Sequence, residues 1–248
     1  MIPARVVPLL ACIAFAATTS LAAEVRVLSA AAAKGPLTET AAAFERDTGN
    51  RVVFDFTTAG QVESRLAAGA RPDLVVNTRA RLDALIAKGG RPGAVRDLGT
   101  VRIGVAARAG VPKPDVSTVD AFRAALLAAQ SVAYTDPGAG GTAGTHFAGV
   151  LDRLGLTEAL AGKRHRAADG LDVMRKIQKG EAELGITQVS EILLVDRATY
   201  VGPMPESLQS PTIYSGFIPE AAGPAARAFA AALTSDVGRA RFHAAGFE

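Results

Sequence analysis

The chain has 248 residues, of which 49% are hydrophobic and 5% aromatic, and this is enough apolar material for a full core in one or two domains. The formal net charge is +3, and the basic residues are spread along the chain without a block or aromatic interleaving, so nucleic acid is not an expected partner. A single cysteine, Cys12, excludes an internal disulfide.

The amino terminus has the features of an export signal. Arg5 precedes an apolar run over residues 6–17, and small residues surround an expected cleavage site near Ala22. We therefore predict a signal peptide over residues 1–23. The apolar run is shorter than the roughly 20 residues that span a bilayer, which argues against a membrane anchor. The segment L-L-A-C faintly resembles a lipoprotein cleavage box, so lipidation of Cys12 stays open as an alternative.

Short apolar runs then alternate with helical patterns. Leu37, Ala41 and Phe44 recur at the spacing of a helix. Pro36 suits the first turn of that helix, and Gly49 is a typical stop. The resulting β-α-β-α-β order predicts a parallel sheet covered by helices. Predicted strands cover residues 25–28, 52–56 and 74–76, and predicted helices cover residues 36–48, 62–68 and 80–88.

A second α/β series follows a glycine-rich break at residues 89–93 and a long apolar strand at residues 101–107. Its predicted strands cover residues 132–135, 184–187 and 212–218, and its predicted helices cover residues 118–129, 145–154, 171–178 and 191–195, with a helical segment up to residue 246.

Two series separated by a long strand predict an α/β fold of two lobes, each a mostly parallel sheet flanked by helices. We assign residues 24–100 and 218–248 to the first lobe and residues 101–217 to the second. The strand near residue 212 is expected to pair with residues 101–107 and to return the chain to the first lobe. Two crossover strands would then form a hinge.

Three loops place small or hydroxyl residues between a strand and a helix, at residues 29–35, 57–60 and 136–144. A fourth loop, at Asp169 and Gly170, also leads into a helix. Ligands of open α/β sheets sit at the carboxyl ends of the strands, where helix N-termini offer unpaired N–H groups and a partial positive charge. Four such loops, two in each lobe, predict a site for one small anion.

The same stretches resemble a known family. The segments V-R-V-L-S-A-A-A-A, T-T-A-G, A-A-G-A-R-P-D-L, D-P-G-A-G-G-T-A-G, G-E-A-E-L-G-I-T-Q and H-A-A-G-F look like those of the periplasmic molybdate-binding proteins of ABC importers. The resemblance covers nearly all of the mature chain. It implies the two-lobed fold of type II periplasmic solute-binding proteins, a periplasmic location, a small anionic solute as ligand and a membrane permease as partner.

The resemblance also implies ligand-binding positions. The first loop begins at Ser29, and the second keeps a hydroxyl at Thr58, beside Thr57. Backbone N–H groups of the third and fourth loops fall at Ala143 and Gly170.

Two side-chain donors of that family are replaced here. Ala32 stands where the family has a serine, and Gln188 stands where it has a tyrosine. The chain adds Lys34, Thr142 and Arg79 near the loops. Lysine and arginine pair with carboxylates, and Gln188 offers both a donor and an acceptor. We therefore expect a small organic carboxylate as ligand, with molybdate, tungstate or a sulfate-like ion as the alternative. Solvated surface charge is the competing interpretation of Lys34 and Arg79.

Other functions find less support in the sequence. The three histidines are far apart and have no cysteine partner, so we expect no metal site. The sequence offers no recognisable set of nucleophile, base and acid, so we expect no catalytic residue, no enzyme and no cofactor. We expect a monomer. An exported enzyme and a periplasmic ligand sensor are the alternatives from other classes.

Overall fold

The computed structural model describes residues 22–89 and 92–248. The predicted signal peptide, including Cys12, lies outside the described residues except for its last two positions. The strands are β1 (Glu24–Ala30), β2 (Arg51–Thr57), β3 (Leu74–Thr78), β4 (Gly93–Val101), β5 (Ile103–Ala107), β6 (Val132–Thr135), β7 (Arg164–Ala167), β8 (Leu184–Gln188), β9 (Tyr200–Pro203) and β10 (Thr212–Pro219). The α-helices are α1 (Lys34–Thr48), α2 (Ala59–Ala67), α3 (Arg79–Ala87), α4 (Val119–Ala128), α5 (Thr142–Arg153), α6 (Gly170–Gln178), α7 (Val189–Val195), α8 (Pro224–Thr234) and α9 (Asp236–Ala244).

The strands form two five-stranded sheets with related orders, β2-β1-β3-β10-β4 and β7-β6-β8-β5-β9. In each sheet the first three strands are parallel, and the fourth runs antiparallel to the third. All five residues of β3 and of β8 are buried, because helices cover both faces of these central strands. The predicted α/β class, with a mostly parallel sheet flanked by helices in each lobe, is confirmed. We refer to the elements of the two sheets as the first and the second lobe.

The chain changes sheets at Arg102, which separates β4 from β5. The predicted single strand over residues 101–107 is therefore two strands in different sheets. Val101 pairs with Thr212, whereas Ile103 pairs with Gln188. The strand that begins at Thr212 thus meets residues 101–107 only at Val101, and its other partners are β3 and the rest of β4. Residues 212–217, which the sequence assigned to the second lobe, pair within the first sheet.

Three strands at the edges of the sheets, β4, β7 and β9, were missed by the sequence analysis. In β4, several side chains are exposed, and a register shift beside Gly99, whose φ is 147°, interrupts its pairing with β10. In β7, three of the four side chains are basic, and none of these three is fully buried. An edge strand tolerates charge because one of its sides has no neighbouring strand.

Each lobe has its own apolar core. In the first lobe, α1 and α8 pack together through Phe44 and Phe229, whose ring centroids lie 5.3 Å apart. In the second lobe, Phe147 of α5 packs edge-on against Tyr134 of β6 at 5.1 Å. The carboxyl terminus returns to the first lobe, where the backbone of Glu248 bonds to Thr100 on β4 at 2.7 and 2.8 Å. Two rigid cores therefore face each other across the loops that follow their parallel strands.

Candidate functional site

A cavity of about 30 Å³, here called the inner pocket, lies between the two lobes. By the same measure one water needs about 10–15 Å³, so the inner pocket has room for about two water-sized groups, the size of one carboxylate. Its lining comes from the loops after β1, β2, β6, β7 and β8 and from one residue of β10. The lining residues are Ala30, Ala31, Ala32, Thr57, Thr58, Ala59, Thr135, Gly141, Thr142, Ala143, Asp169, Gly170, Thr187, Gln188, Glu191 and Tyr214.

Four helix N-termini meet at the inner pocket, two from each lobe. The first lobe supplies the 3-10 turn Ala31–Ala33 that leads into α1, and the start of α2. The second lobe supplies the starts of α5 and α6. The first N–H groups of a helix have no partner within it, and each N-terminus carries about half a positive charge. The pocket therefore attracts negative charge from both lobes without requiring a cationic side chain.

The lobes touch directly beside the pocket. Thr58 Oγ1 donates to the carbonyl oxygen of Ala139 at 2.6 Å, and the N–H of Gly60 donates to the carbonyl of Gly140 at 3.0 Å. A Cβ on Gly60 would lie 2.9 Å from the Cα of Gly140, so only glycine permits this approach without displacement. Thr58 also caps α2 by accepting from the N–H of Gln61. The structure is thus closed at this point, and the only proton of the Thr58 hydroxyl is already engaged across the cleft.

A hydrogen-bonded group of three side chains crosses the cleft. Gln188 Nε2 donates to Thr142 Oγ1 at 3.1 Å, and Thr142 Oγ1 lies 3.4 Å from the hydroxyl of Tyr214 on β10. Burial raises the pKa of Tyr214, so the phenol keeps its proton at neutral pH. The other amide atom, Gln188 Oε1, is buried and has no hydrogen-bond partner in the described part of the chain. An unpaired buried acceptor is costly, which marks Gln188 as a group that a ligand could satisfy.

Glu191 is the buried acid of the inner pocket. Its side chain is on α7, is 5% exposed, and accepts a hydrogen bond of 2.5 Å from Thr187 Oγ1. Burial raises the pKa of Glu191 to about 7, against the lowering effect of the Thr187 hydroxyl. The negative charge of nearby Asp169 raises the pKa of Glu191 further, and a hydrogen bond from the backbone N–H of Gln188 lowers it. Near neutral pH the carboxyl therefore exchanges readily between its charged and neutral forms.

A wider cavity of about 620 Å³, here called the outer cavity, adjoins the inner pocket at Thr142, which lines both. Arg79 lines it from the start of α3. Its guanidinium bonds to Asp83 at 2.9 Å and to Asp97 at 3.1 Å. These contacts raise the pKa of Arg79. The hydrogen bond from Ser215 lowers the pKa of Asp97, and the contact with Arg79 lowers it further. The outer cavity thus has a cationic group whose orientation is set by two carboxylates.

The structure brings seven of the ten predicted ligand-binding residues to the inner pocket: Ala32, Thr57, Thr58, Thr142, Ala143, Gly170 and Gln188. Arg79 lines the outer cavity instead. Ser29 is buried within β1, where its hydroxyl donates to the carbonyl of Ala30 at 3.0 Å. Lys34 lies at the start of α1, and its ammonium sits 5.6 Å from the centre of the Phe56 ring. These last two side chains engage other partners and do not line the inner pocket.

The pocket residues that the sequence analysis missed include Tyr214 and Glu191. Gln188 stands where the resembling family has a tyrosine, and here a different tyrosine, Tyr214, reaches the pocket from the other sheet. No local sequence pattern indicates this position of Tyr214. Glu191 follows Gln188 by three residues, and the inward direction of its side chain depends on how the short helix α7 begins. The sequence signal for Glu191 as a pocket residue was its position three residues after a strand, but most glutamates are exposed to solvent.

The described residues carry no cluster of histidine, cysteine and acidic side chains able to hold a metal ion. His146, on the wall of the outer cavity, has its Nε2 atom 2.7 Å from the carbonyl oxygen of Leu208, so that nitrogen donates a proton. No helix within residues 22–89 and 92–248 combines the length and the apolar character needed to cross a membrane.

Comparison with known proteins adds sequence and fold relationships. Residues 25–248 match the family model described as bacterial extracellular solute-binding protein. A protein of a Pseudomonas species named aconitate isomerase is 36% identical over 214 residues, which cover 81% of this chain and 79% of that protein.

Solved structures have the same fold. The periplasmic molybdate-binding protein of Azotobacter vinelandii superimposes with a TM-score of 0.73 at 21% identity, covering 90% of this chain and 98% of that one. The substrate-binding domain of a putative molybdenum ABC transporter from Clostridium difficile gives a TM-score of 0.65 at 20% identity, covering 92% and 99%. At these identities the likeness concerns the fold alone.

Proposed function

The chain belongs to the bacterial extracellular solute-binding protein family, and on that premise we propose that it captures a small organic carboxylate between its lobes and presents it to the permease of an ABC importer. The observation that carries this proposal is the meeting of four helix N-termini, two from each lobe, at the inner pocket. Because both lobes contribute, an anion in the pocket would favour the closed form, which a permease can distinguish from the open one.

The polar side chains of the pocket favour a carboxylate over a fully ionised tetrahedral oxyanion. Such an oxyanion only accepts hydrogen bonds, whereas Gln188 Oε1 is an acceptor without a partner. Glu191 also turns a carboxyl toward the pocket. A ligand that carries a hydroxyl or an acid proton beside its carboxylate could satisfy Gln188, and sulfate or molybdate could not.

The outer cavity favours a ligand with more than one carboxylate. The inner pocket holds a single carboxylate-sized group, and the adjoining cavity of about 620 Å³ offers space for the rest of the molecule. Arg79 supplies positive charge there, and Thr142 connects the two spaces. A dicarboxylate or tricarboxylate would place one charged end on the helix N-termini and another beside the guanidinium.

Titration calorimetry on the chain from residue 24 tests this proposal with citrate, tricarballylate, sulfate and molybdate. We expect the two carboxylates to bind more tightly than the two inorganic ions, and citrate, whose hydroxyl can donate to Gln188 Oε1, to bind more tightly than tricarballylate. The variant Thr142→Val removes the hydroxyl shared by Gln188 and Tyr214 and should weaken carboxylate binding about tenfold. Thr38→Val is the matched control, because that hydroxyl bonds only within α1. A wild-type chain that binds none of the four anions would sink the proposal.

The second candidate function is isomerisation of an unsaturated tricarboxylate, and two observations favour it. The Pseudomonas relative with 36% identity is named aconitate isomerase. Glu191 lines the same pocket and can hold or release a proton near neutral pH. Moving the double bond requires removal of a proton from one carbon and addition of a proton to another, so substrate and product have the same composition and no co-reactant is needed.

Proton NMR in D₂O distinguishes capture from isomerisation. If the chain is an isomerase, cis-aconitate will convert to the trans isomer with deuterium at carbon. Glu191→Gln will then abolish conversion, while the exposed control Glu158→Gln will retain it. Tight binding of either isomer without conversion leaves capture as the function.

A further inference from the structure

Glu191 places an acidic side chain in a pocket whose helix N-termini attract anions. Its carboxyl lines the inner pocket, is 5% exposed, and touches Thr187 at 2.5 Å. On one side the carboxyl packs tightly against the start of α6, because a Cβ on Gly170 would lie 1.8 Å from Glu191 Oε2. An anionic guest in a space of about 30 Å³ would therefore lie close to this carboxyl.

The surroundings of Glu191 provide no counter-charge. The groups that shift its pKa are burial, the Thr187 hydroxyl, Asp169 and the Gln188 backbone, and none of them is a cation. On α6, Asp169 is itself paired with Arg175 at 3.6 Å. From β10, Tyr214 faces the pocket with its proton retained. Like charges that share a desolvated site cannot both stay ionised, so either the guest or Glu191 must give up its charge.

Glu191 is the group that can be neutralised at little cost. The four helix N-termini stabilise a charged guest, whereas Glu191 already exchanges its proton near neutral pH. A carboxylate ligand, with an ordinary pKa of about 4, would resist protonation by comparison. Gln188 Oε1 supports the same conclusion, because this unpaired buried acceptor also requires a hydrogen and not a second negative group.

We infer that Glu191 takes up one proton from solvent when an anion enters the inner pocket, so that capture of the anion is coupled to protonation of this residue. The neutral carboxyl donates a hydrogen bond within the pocket, and no covalent bond changes besides the new O–H. The inference rests on the proposed function, since it requires an anion in this pocket. It makes Glu191 a determinant of affinity: the receptive form of the protein is the one that holds the proton.

The sign of the pH effect follows from this assignment. Below the pKa of the free protein, Glu191 is already neutral and affinity is independent of pH. Above it, each binding event must take a proton from solution, and the dissociation constant rises about tenfold per pH unit. Affinity therefore falls as pH rises through the neutral range into the alkaline range.

Calorimetry with tricarballylate between pH 7 and 9 tests the coupling, because the ligand is fully ionised there. At each pH the titration is run in two buffers of different ionisation enthalpy, and the difference in heat counts the protons taken up. We expect close to one proton at pH 8.5 in the wild type. We expect no proton uptake and a flat affinity profile in Glu191→Gln, which mimics the neutral acid, and wild-type behaviour in the exposed control Glu158→Gln.

The outcomes separate the two proposals. Binding by the wild type with no proton uptake and a flat profile overturns the coupling and leaves anion capture intact. Retention of the pH dependence in Glu191→Gln also overturns the assignment to this residue. If no anion binds the wild type at any pH, the proposed function and the coupling both fall. The buffer comparison needs only the wild type, so the test holds even if the variant fails to fold.

Discussion

The two lobes have related folds, but they contribute different polar side chains to the inner pocket. The first-lobe wall consists of alanines, Thr57, Tyr214 and the Thr58 hydroxyl, whose proton is engaged by Ala139. The second-lobe wall adds Gln188, with an unpaired oxygen, and Glu191, with a shifted pKa. Both walls direct helix N-termini at the guest. Attraction for an anion is therefore shared between the lobes, whereas pH response and discrimination among anions reside in the second.

If the second-lobe wall carries the titrating group, the largest effect will come from Glu191→Gln measured as stability against pH. The pKa of Glu191 in the folded chain is about 7, above its ordinary value of 4.5. A raised carboxyl pKa means that stability is fully present below the unfolded value and is lost as pH rises through the folded value. The loss amounts to roughly 2–4 kcal/mol by pH 8. Glu191→Gln should not show this loss of stability, because the glutamine side chain does not titrate.

Urea unfolding of both chains at pH 4.5, 6, 7 and 8 measures this difference. We expect nearly equal free energies of unfolding at pH 4.5 and a growing advantage of Glu191→Gln up to pH 8. Other titrating groups are common to both chains and cancel in the difference. A constant difference at all four pH values would mean that Glu191 does not change its charge within the fold.

The second-lobe wall should also tolerate added volume poorly. In Gly170→Ala, the new Cβ would lie 1.8 Å from Glu191 Oε2 and 2.3 Å from Thr187 Oγ1. Overpacking of this kind costs about 1–3 kcal/mol, and it would also displace the carboxyl from the pocket. We expect a lower free energy of unfolding and a clear loss of tricarballylate binding.

The matched control is Gly149→Ala. Gly149 is an exposed helical glycine, and a Cβ there would meet nothing within 4 Å. Alanine at such a position stabilises a helix by up to about 1 kcal/mol, and affinity should not change. Equal behaviour of the two variants would show that the volume at Gly170 is not restricted.

The difference between the walls also explains what the sequence could and could not predict. Thr58 and Ala143 follow strands in their own α/β units, so strand-loop-helix order was sufficient to bring both to one pocket. Tyr214 reaches the pocket from a strand that the chain adds to the first sheet only after the whole second lobe. Local patterns carry no information about such a partner.

Strand boundaries show the same limitation. Residues 101–107 are apolar except for Arg102, and one charged residue does not by itself mark the point where a chain leaves one sheet for the other. The partners decide it, since Val101 pairs with Thr212 and Ile103 pairs with Gln188. Lys34 is a similar case: its charge suggested a ligand contact, but the ammonium lies over the ring of Phe56, which is 22 residues further along the chain in β2.

The first-lobe wall should respond through closure of the lobes. Thr58→Val removes both the cap of α2 and the hydrogen bond to Ala139. Thr118→Val removes the equivalent cap of α4, which contributes no residue to the pocket lining. Each variant should lose about 1 kcal/mol of stability through the lost cap. Only Thr58→Val should lose affinity for tricarballylate as well. Unchanged affinity in Thr58→Val would show that the hydrogen bond between Thr58 and Ala139 does not contribute to closure of the lobes on the ligand.

The smallest effect is expected at the outer cavity, where the first lobe contributes an exposed charge. Arg79→Gln leaves Asp83 and Asp97 without their shared partner, so the Asp83 carboxylate would line the cavity unneutralised. We expect the dissociation constant of tricarballylate to rise about two- to fivefold, because charges at a rim mainly steer a ligand and are screened by water. The unfolding midpoint should not change measurably.

Arg239→Gln is the control for the loss of one positive charge, since Arg239 pairs with Asp236 on α9, away from both cavities. Salt separates the explanations for any effect of Arg79→Gln. A Coulombic role at the rim predicts that the difference from wild type shrinks between 0.02 and 0.5 M NaCl, as the Debye length falls below about 5 Å. A difference that persists at high salt would instead indicate that Arg79 contacts the ligand directly, and the first lobe would then share in discrimination among anions.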